Sequence, residues 1–207
     1  MNSFTKEILA NTTPEQSLNL LLEGNNRFVN NLKFNRNFLH QLQETKDGQH
    51  PHAVILSCMD SRAPLEHVLD QGIGDIFSLR IAGNVLTDEV IGSMEYACQV
   101  VGSKLILVLG HSRCGAVTGA CNHTSLGKLD TILERIHPIV EKVREKNQDK
   151  ELSQSELVEL VTMENVRSIV AQLQRVSPAL TQLIEDGQIG VVGGYYDVVS
   201  GKVELIC

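Results

Sequence analysis

The sequence predicts an α/β fold: a mostly parallel central β-sheet flanked by helices, with an N-terminal helical arm and a C-terminal β-hairpin at the sheet edge. Three observations carry that expectation. Four short apolar runs, 53–57 (AVILS), 76–81 (IFSLRI), 105–109 (LILVL) and 189–196 (IGVVGGYY), are rich in branched residues and read as strands buried on both faces. Most of them are separated by stretches of helical periodicity, the pattern of a parallel sheet with crossover helices. The segment 195–206 (YYDVVSGKVELI) sets Ser200 and Gly201 between two β-rich runs, which reads as a hairpin.

The helices follow from periodicity and end signals. In 13–29 (TPEQSLNLLLEGNNRFV), Thr13 is the N-cap, Pro14 sits in the first turn and Leu18, Leu21, Leu22 and Phe28 recur at helical spacing. This amphipathic helix is expected to pack as an arm, on its own subunit or on a partner, within a mainly helical segment 1–50. The stretch 88–102 starts at Asp88, whose charge suits a helix N-terminus, and stops at Gly102. Residues 129–146 and 153–176 are longer helical patterns with charged outer faces. Pro138 is expected to kink or divide the first of these, because it has no N–H and its ring crowds the preceding turn.

No repeat, low-complexity tract or Gly/Ser linker interrupts the 207 residues, so 1–207 is expected to form a single domain. Apolar content of 42% and charged content of 21% fit a globular chain and exclude a disordered or collagen-like one. A formal net charge of −7 offers no basic footprint for nucleic acid or anionic membrane, which leaves a small molecule as the expected substrate. No apolar run approaches the roughly 18–20 residues of a bilayer span, and residues 1–16 show no signal-peptide core, so a cytoplasmic location is expected. Five cysteines at irregular spacing argue against a disulfide framework, with Cys98 and Cys121 read as small buried apolar residues.

Parallel sheets place their sites beyond the carboxyl ends of the strands. After 53–57 comes CMDSR, and after 105–109 comes GHSRCG. Cys58, His111 and Cys114 therefore arrive at neighbouring strand ends as two thiolates and an imidazole, three protein ligands of the kind a catalytic zinc uses while keeping one position open. His-x-x-Cys alone is a weak signal, and the pairing of the two strand ends is what strengthens it. Asp60 is the nearby candidate for a fourth ligand. Asp60 and Arg62 could be a turn-stabilising carboxylate and a surface cation. The neighbouring ligands favour a carboxylate–guanidinium dyad beside the metal, in which Arg62 keeps Asp60 ionised and oriented. A dinucleotide site fails on GIGDIF, which lacks the third glycine and leads into a strand. His67 and His123 read as surface or satisfied histidines, and nothing in the pattern places the side chain of Arg113.

CMDSR followed by HSRCGA resembles the β-class carbonic anhydrases, whose motifs are Cys-x-Asp-x-Arg and His-x-x-Cys-Gly. The segments TPEQSLNLLLEGNNRFV, DQGIGDIFSLRIAGNV, GSMEYAC and YYDVVSGKVEL are similar to that family too, so the likeness covers nearly the whole chain. The resemblance implies one Zn2+ per chain held by Cys58, His111 and Cys114, with Asp60 and Arg62 as the catalytic dyad. It also implies a substrate pocket lined by Gln49, Phe77, Tyr96 and Gly115, partly across a dimer interface. Gly83 and Asn84 are expected to turn the chain near the site.

The implied reaction is reversible hydration of CO2 to bicarbonate and a proton by zinc-bound hydroxide, in a homodimer or homotetramer. Two thiolates formally neutralise Zn2+, so this ligand set should acidify water less than three neutral histidines would. The family also offers a closed state in which Asp60 becomes the fourth ligand and releases Arg62. One subgroup stabilises that state with a bicarbonate pocket that includes a Trp. Ile55 stands at the matching position and the chain has no Trp, so the complete pocket is expected to be absent. Two alternatives stay open at this point: a hydrolase of CS2 or COS on the same fold, and a non-catalytic zinc or redox-sensing protein.

Overall fold

The computed structural model describes residues 4–207; residues 1–3, the start of the expected arm, lie outside them. Five strands, β1 (Ala53–Ser57), β2 (Ile76–Arg80), β3 (Leu105–His111), β4 (Gly190–Tyr196) and β5 (Val203–Leu205), form one sheet in the order β2-β1-β3-β4-β5. The first four are parallel, and β5 runs antiparallel to β4 at the edge, as the hairpin reading requires. Nine helices flank them among the described residues: α1 (Lys6–Ala10), α2 (Pro14–Val29), α3 (Phe38–Glu44), α4 (Leu65–Val68), α5 (Asp88–Glu95), α6 (Gly115–Cys121), α7 (Asp130–Lys146), α8 (Gln154–Val176) and α9 (Pro178–Glu185).

Strands β1 and β3 are buried along their whole length, which explains why their sequences are apolar without alternation. Side chains still alternate between two layers. Val54, Leu56, Ile106 and Val108 pack with Val166, Ile169 and Leu173 of α8 and Leu180 of α9. Ala53, Ile55, Leu105, Leu107 and Leu109 face Leu21 of α2 and Leu65 and Val68 of α4. A third cluster joins α6, α7 and the start of α8 around Val117, Leu133, Ile136 and Val161.

Strand β3 runs two residues beyond the expected 105–109, because its ladder to β4 continues through Gly110↔Tyr195 and His111↔Tyr196. Pro138 does not divide α7, which is continuous from Asp130 to Lys146. Proline costs about 3 kcal/mol inside a helix, and burial of Leu133, Ile136, Ile139, Val140 and Val143 on both sides of it outweighs that cost. The turn after α5 continues as a wider coil, Tyr96–Val101, and stops at Gly102 as expected. Helix α9 was not read from the sequence, although Ser177 caps it and Pro178 opens it.

The N-terminal helix packs on its own subunit. Thr13 and Gln16 close a reciprocal capping box, and the buried face of α2 is Ser17, Leu21, Gly24 and Asn25. Gly24 is required there: a β-carbon would lie 1.8 Å from the Leu69 carbonyl oxygen. Asn25 donates from Nδ2 to the carbonyls of Val68 (3.0 Å) and Gly201 (2.8 Å) and accepts at Oδ1 from the Val203 N–H (2.8 Å), tying α2 to the hairpin. Beyond α2, Asp70 is buried between Arg27, whose Nε donates to it at 2.6 Å, and Arg36, which bonds both its carboxylate and its carbonyl. Phe34 lies under both guanidinium groups, 4.2 Å from that of Arg27 and 5.4 Å from that of Arg36.

Burial alone would raise the pKa of Asp70, but the hydrogen bonds from Arg36 and Arg27 outweigh it and the net shift is downward. A carboxylate whose folded pKa is depressed adds stability above its unfolded pKa and loses it as pH falls through the folded value. Asp70→Asn, which strands two arginines, is therefore expected to destabilise the protein by about 3 kcal/mol near neutral pH. The gap to the parent should narrow below about pH 4, as read from urea denaturation at the two pH values.

Candidate active site

The register Ser57↔Leu109 between β1 and β3 sets Cys58 and Gly110–His111 side by side at the same end of the sheet. The chain then turns at Arg113 and enters α6 directly after Cys114. The donor atoms of Cys58, His111 and Cys114, all buried, converge within 4.8 Å of one another. Cys58 Sγ and Cys114 Sγ are 3.9 Å apart. An ion tetrahedrally bound at about 2.3 Å from each sulfur would set them about 3.8 Å apart, so the pair fits zinc. His111 Nδ1 lies 2.9 Å from the Ser112 carbonyl, which accepts its proton and leaves Nε2 as the lone-pair nitrogen. That Nε2 is buried without a hydrogen-bond partner, as a ligand atom would be.

The two sulfurs share their protons unequally. A hydrogen bond with Cys114 lowers the Cys58 thiol against the opposing effect of burial, with further help from His111 and the Gly83 N–H at 3.4 Å. Cys58 in turn pushes the Cys114 thiol up, and burial adds to that. This is the behaviour of two thiols that cannot both ionise until a cation arrives between them. Val85, Val117 and Ala120 pack around them, with Ile81 and Ala116 against the same cluster.

Asp60 and Arg62 form a two-point ion pair. Arg62 Nε donates to Oδ1 at 2.9 Å and Nη2 to Oδ2 at 2.8 Å, while the Arg62 backbone N–H adds a third bond to Oδ1 at 2.9 Å. Asp60 Oδ2 lies 3.9 Å from His111 Nε2, so the carboxylate borders the ligand group. The Arg62 side-chain bonds hold the Asp60 carboxyl well below the usual carboxylate range despite desolvation.

Several supports were not read from the sequence. Arg80 donates from Nε to the Cys58 carbonyl (3.1 Å) and from Nη2 to the Asp60 carbonyl (2.5 Å), bracing the CMDSR turn. Tyr196 Oη donates to the Arg62 carbonyl at 3.1 Å. Ser112 Oγ donates to Asp197 Oδ1 at 3.0 Å and accepts from the Val198 N–H at 2.9 Å, locking the hairpin against the His111 segment. Hydrogen bonds from Ser200 and the Val199 N–H bring Asp197 down to about 2. Asn165 Nδ2 donates to the Gly83 carbonyl at 3.1 Å. The one local signal for Arg80 was a charge inside the apolar run 76–81; its register opposite Ser57 exists only in the folded sheet.

A protein-family model described as carbonic anhydrase matches residues 53–203, a span that holds both motifs and strands β1 to β4. The chain belongs to the carbonic anhydrase family. Similar curated proteins include a carbonic anhydrase of Mycolicibacterium smegmatis and carbonic anhydrase 2 of Mycobacterium tuberculosis. Each is 34% identical over 203 residues, covering 95% of this chain and 95% of the relative. Among solved structures, a tetrameric β-carbonic anhydrase of Sordaria macrospora superposes with a TM-score of 0.73 at 27% identity, over 81% of this chain and 86% of that one.

Set in a carbonic anhydrase, the expected pocket residues divide. Gly115 adjoins Cys114 at the start of α6, facing open space. Gln49 precedes β1 and lines a cleft with Thr45 and Gly74 at the opposite end of the strand from Cys58. Phe77 pairs with Val54 near the start of β2 and meets Tyr96 edge-on with ring centroids 6.4 Å apart. Four residues of strand, roughly 13 Å, separate the level of Val54 from that of Cys58, so Phe77, Tyr96 and Gln49 do not reach the ligand group of their own chain. Ile55, at the place of the subgroup's Trp, is a fully buried core residue of β1. His67 lines a cavity beside Arg36 and Asp70, and His123 stacks near His137.

Gly83 turns the chain beside Cys58, as expected, with φ 65°. A β-carbon there would lie 2.8 Å from Ile136 Cδ1 and would strain a left-handed backbone. Gly83→Ala is expected to cost roughly 1–3 kcal/mol of stability and about tenfold in metal affinity, measured by denaturation and by competition with a chromophoric chelator.

Proposed function

We propose that the protein is a zinc-dependent carbonic anhydrase that interconverts CO2 and bicarbonate, with one Zn2+ per chain held by Cys58, His111 and Cys114. The observation that carries this reading is the convergence of those three donors beside an ionised carboxylate held by an arginine. Zinc in such a site supplies Lewis acidity that makes water nucleophilic near neutral pH.

The rest of the work belongs to the chain. With both oxygens held by Arg62, Asp60 presents acceptor lone pairs in a fixed direction next to His111 Nε2. An O–H donated to Asp60 leaves the remaining lone pairs of the attacking oxygen pointed at CO2. Because the Arg62 hydrogen bonds hold the Asp60 carboxyl low, it stays an acceptor across the neutral range. Apolar walls suit CO2, which has no net charge or dipole, and disfavour bicarbonate, which leaves as an anion.

Gln49, Phe77 and Tyr96 serve the pocket of a second copy of the chain in this reading. Supporting this, they lie away from their own ligand group, and Tyr96 is 52% and Val100 70% exposed. Large apolar surfaces left open on one chain mark contacts with another. The Sordaria relative is described as tetrameric, which fits a homodimer or a multiple of one. A cytoplasmic location belongs to the same reading: none of the helices among the described residues is long and apolar enough to cross a membrane, and none of the five cysteines is in a disulfide.

Stopped-flow CO2 hydration with a pH indicator tests the proposal on the zinc-loaded protein. Turnover should disappear on removing the metal with a chelator and return on adding Zn2+. His111→Ala and Cys114→Ser should bring zinc content from about one per chain to near zero. Asp60→Asn and Arg62→Ala should keep the metal and lower kcat by about 100-fold or more. A zinc-loaded parent that is inert towards CO2 between about pH 6 and 9, or that hydrolyses CS2 instead, overturns the reading.

A further inference from the structure

His111 offers Nε2 as its lone-pair nitrogen because the other ring nitrogen is occupied: Nδ1 lies 2.9 Å from the Ser112 carbonyl. The direction of that carbonyl therefore matters to the ligand group. The Ser112 N–H donates to the Tyr196 carbonyl at 2.9 Å, one residue past the last pair of the β3–β4 ladder. That bond fixes Ser112 on the amino side of its Cα and leaves the carbonyl side free to rotate. The residue that follows, Arg113, is left-handed with φ 56°, a conformation that costs a β-carbon-bearing residue free energy and has to be imposed by its surroundings.

The side chain of Ser112 supplies the missing restraint. Its hydroxyl donates to Asp197 Oδ1 at 3.0 Å, accepts from the Val198 N–H at 2.9 Å and also meets the Tyr195 side chain. Ser112 is buried, so water competes little for these bonds. The Asp197 carboxylate is itself held. Its Oδ1 accepts from the Val199 N–H at 3.1 Å, and Oδ2 accepts from the Ser200 N–H at 3.1 Å and the Ser200 hydroxyl at 2.7 Å. Those three bonds lie within its own turn and serve the hairpin. The fourth reaches 85 residues back along the chain, to the residue whose carbonyl holds His111.

We propose that Ser112 and Asp197 are positioning residues for His111, acting in series: the carboxylate holds the Ser112 hydroxyl, and the residue so held keeps its carbonyl on Nδ1 and leaves Nε2 to the metal. The assignment rests on the zinc reading of Cys58, His111 and Cys114 and is independent of the substrate. Loss of the hydroxyl frees the Ser112 carbonyl to turn and the imidazole to adopt its other tautomer. Ordering the ligand then falls to zinc binding itself, which is weakened by that cost.

The test measures zinc affinity of the full-length, zinc-loaded protein by competition with a chromophoric chelator, alongside the thermal midpoint. Ser112→Ala removes the link and leaves Asp197 its three turn bonds, Asp197→Ala removes both, and Ser200→Ala weakens the hairpin without touching Ser112. The zinc dissociation constant is expected to rise about three- to tenfold in Ser112→Ala and in Asp197→Ala. The double variant should be no worse than Asp197→Ala alone, because the two residues act through one bond. Ser200→Ala should lower the midpoint by about 2–4 °C and keep its zinc affinity within about twofold of the parent. In NMR spectra of the zinc-loaded protein, the His111 Nδ1–H should lose its protection from exchange in Ser112→Ala and keep it in Ser200→Ala. Zinc affinity in Ser112→Ala within about twofold of the parent, or a Ser200→Ala variant that weakens zinc as much, would overturn the proposal and leave the zinc reading intact. A parent that binds no zinc overturns the zinc reading and the proposal with it.

Discussion

The side-by-side pairing of β1 and β3 is the constraint on which the site depends. Parallel neighbours in the register Ser57↔Leu109 bring two chain segments separated by dozens of residues to one point beyond the carboxyl ends of the central strands. Both strands are buried on both faces, so a slip of the register would move a whole row of core side chains to the wrong layer. The hydrophobic packing of Val54, Leu56, Ile106 and Val108 thereby fixes the separation of Cys58 from His111.

On that frame the polar groups are arranged so that each ligand is oriented by something that cannot easily move. His111 is held by the carbonyl next to it, Cys58 by the Gly83 N–H, and the CMDSR turn by Arg80 reaching across from β2. Arg62 is anchored through its own carbonyl by Tyr196 and through its side chain by Asp60. Hence the dyad, which follows β1, is braced from β2 and β4 at once. A soft-ligand pocket with an ionised acid at its rim is set up before any substrate arrives, the condition for electrostatic preorganisation.

Much of this was legible in the residues because local rules and global structure agree. The apolar runs, the Thr13 N-cap and the Gly201 turn obey period, cap and turn chemistry, and they appear where those rules put them. The ligands were legible because strand ends are where parallel sheets deliver function. What escaped was anything that depends on register or on a second element. Arg80 and Tyr196 look like strand residues until the sheet is assembled, and helix α9 has few residues over which periodicity can accumulate. Pro138 shows the opposite failure: a reliable local rule yielded to the burial of a helix face on both sides of the proline.

Asn25 has a further consequence, one of timing. Its side chain joins α2 to Gly201 and Val203, partners 176 and 178 residues further along the chain. During synthesis at about 5–20 residues per second, those partners emerge roughly 10–40 s after Asn25 does. Through that interval the inner face of α2 has no hairpin to close against, and its buried amide has only water. Asp197 emerges in that same late stretch, so during synthesis the Ser112–Asp197 bond, which joins the His111 segment to the hairpin, can form only after β4 has left the ribosome.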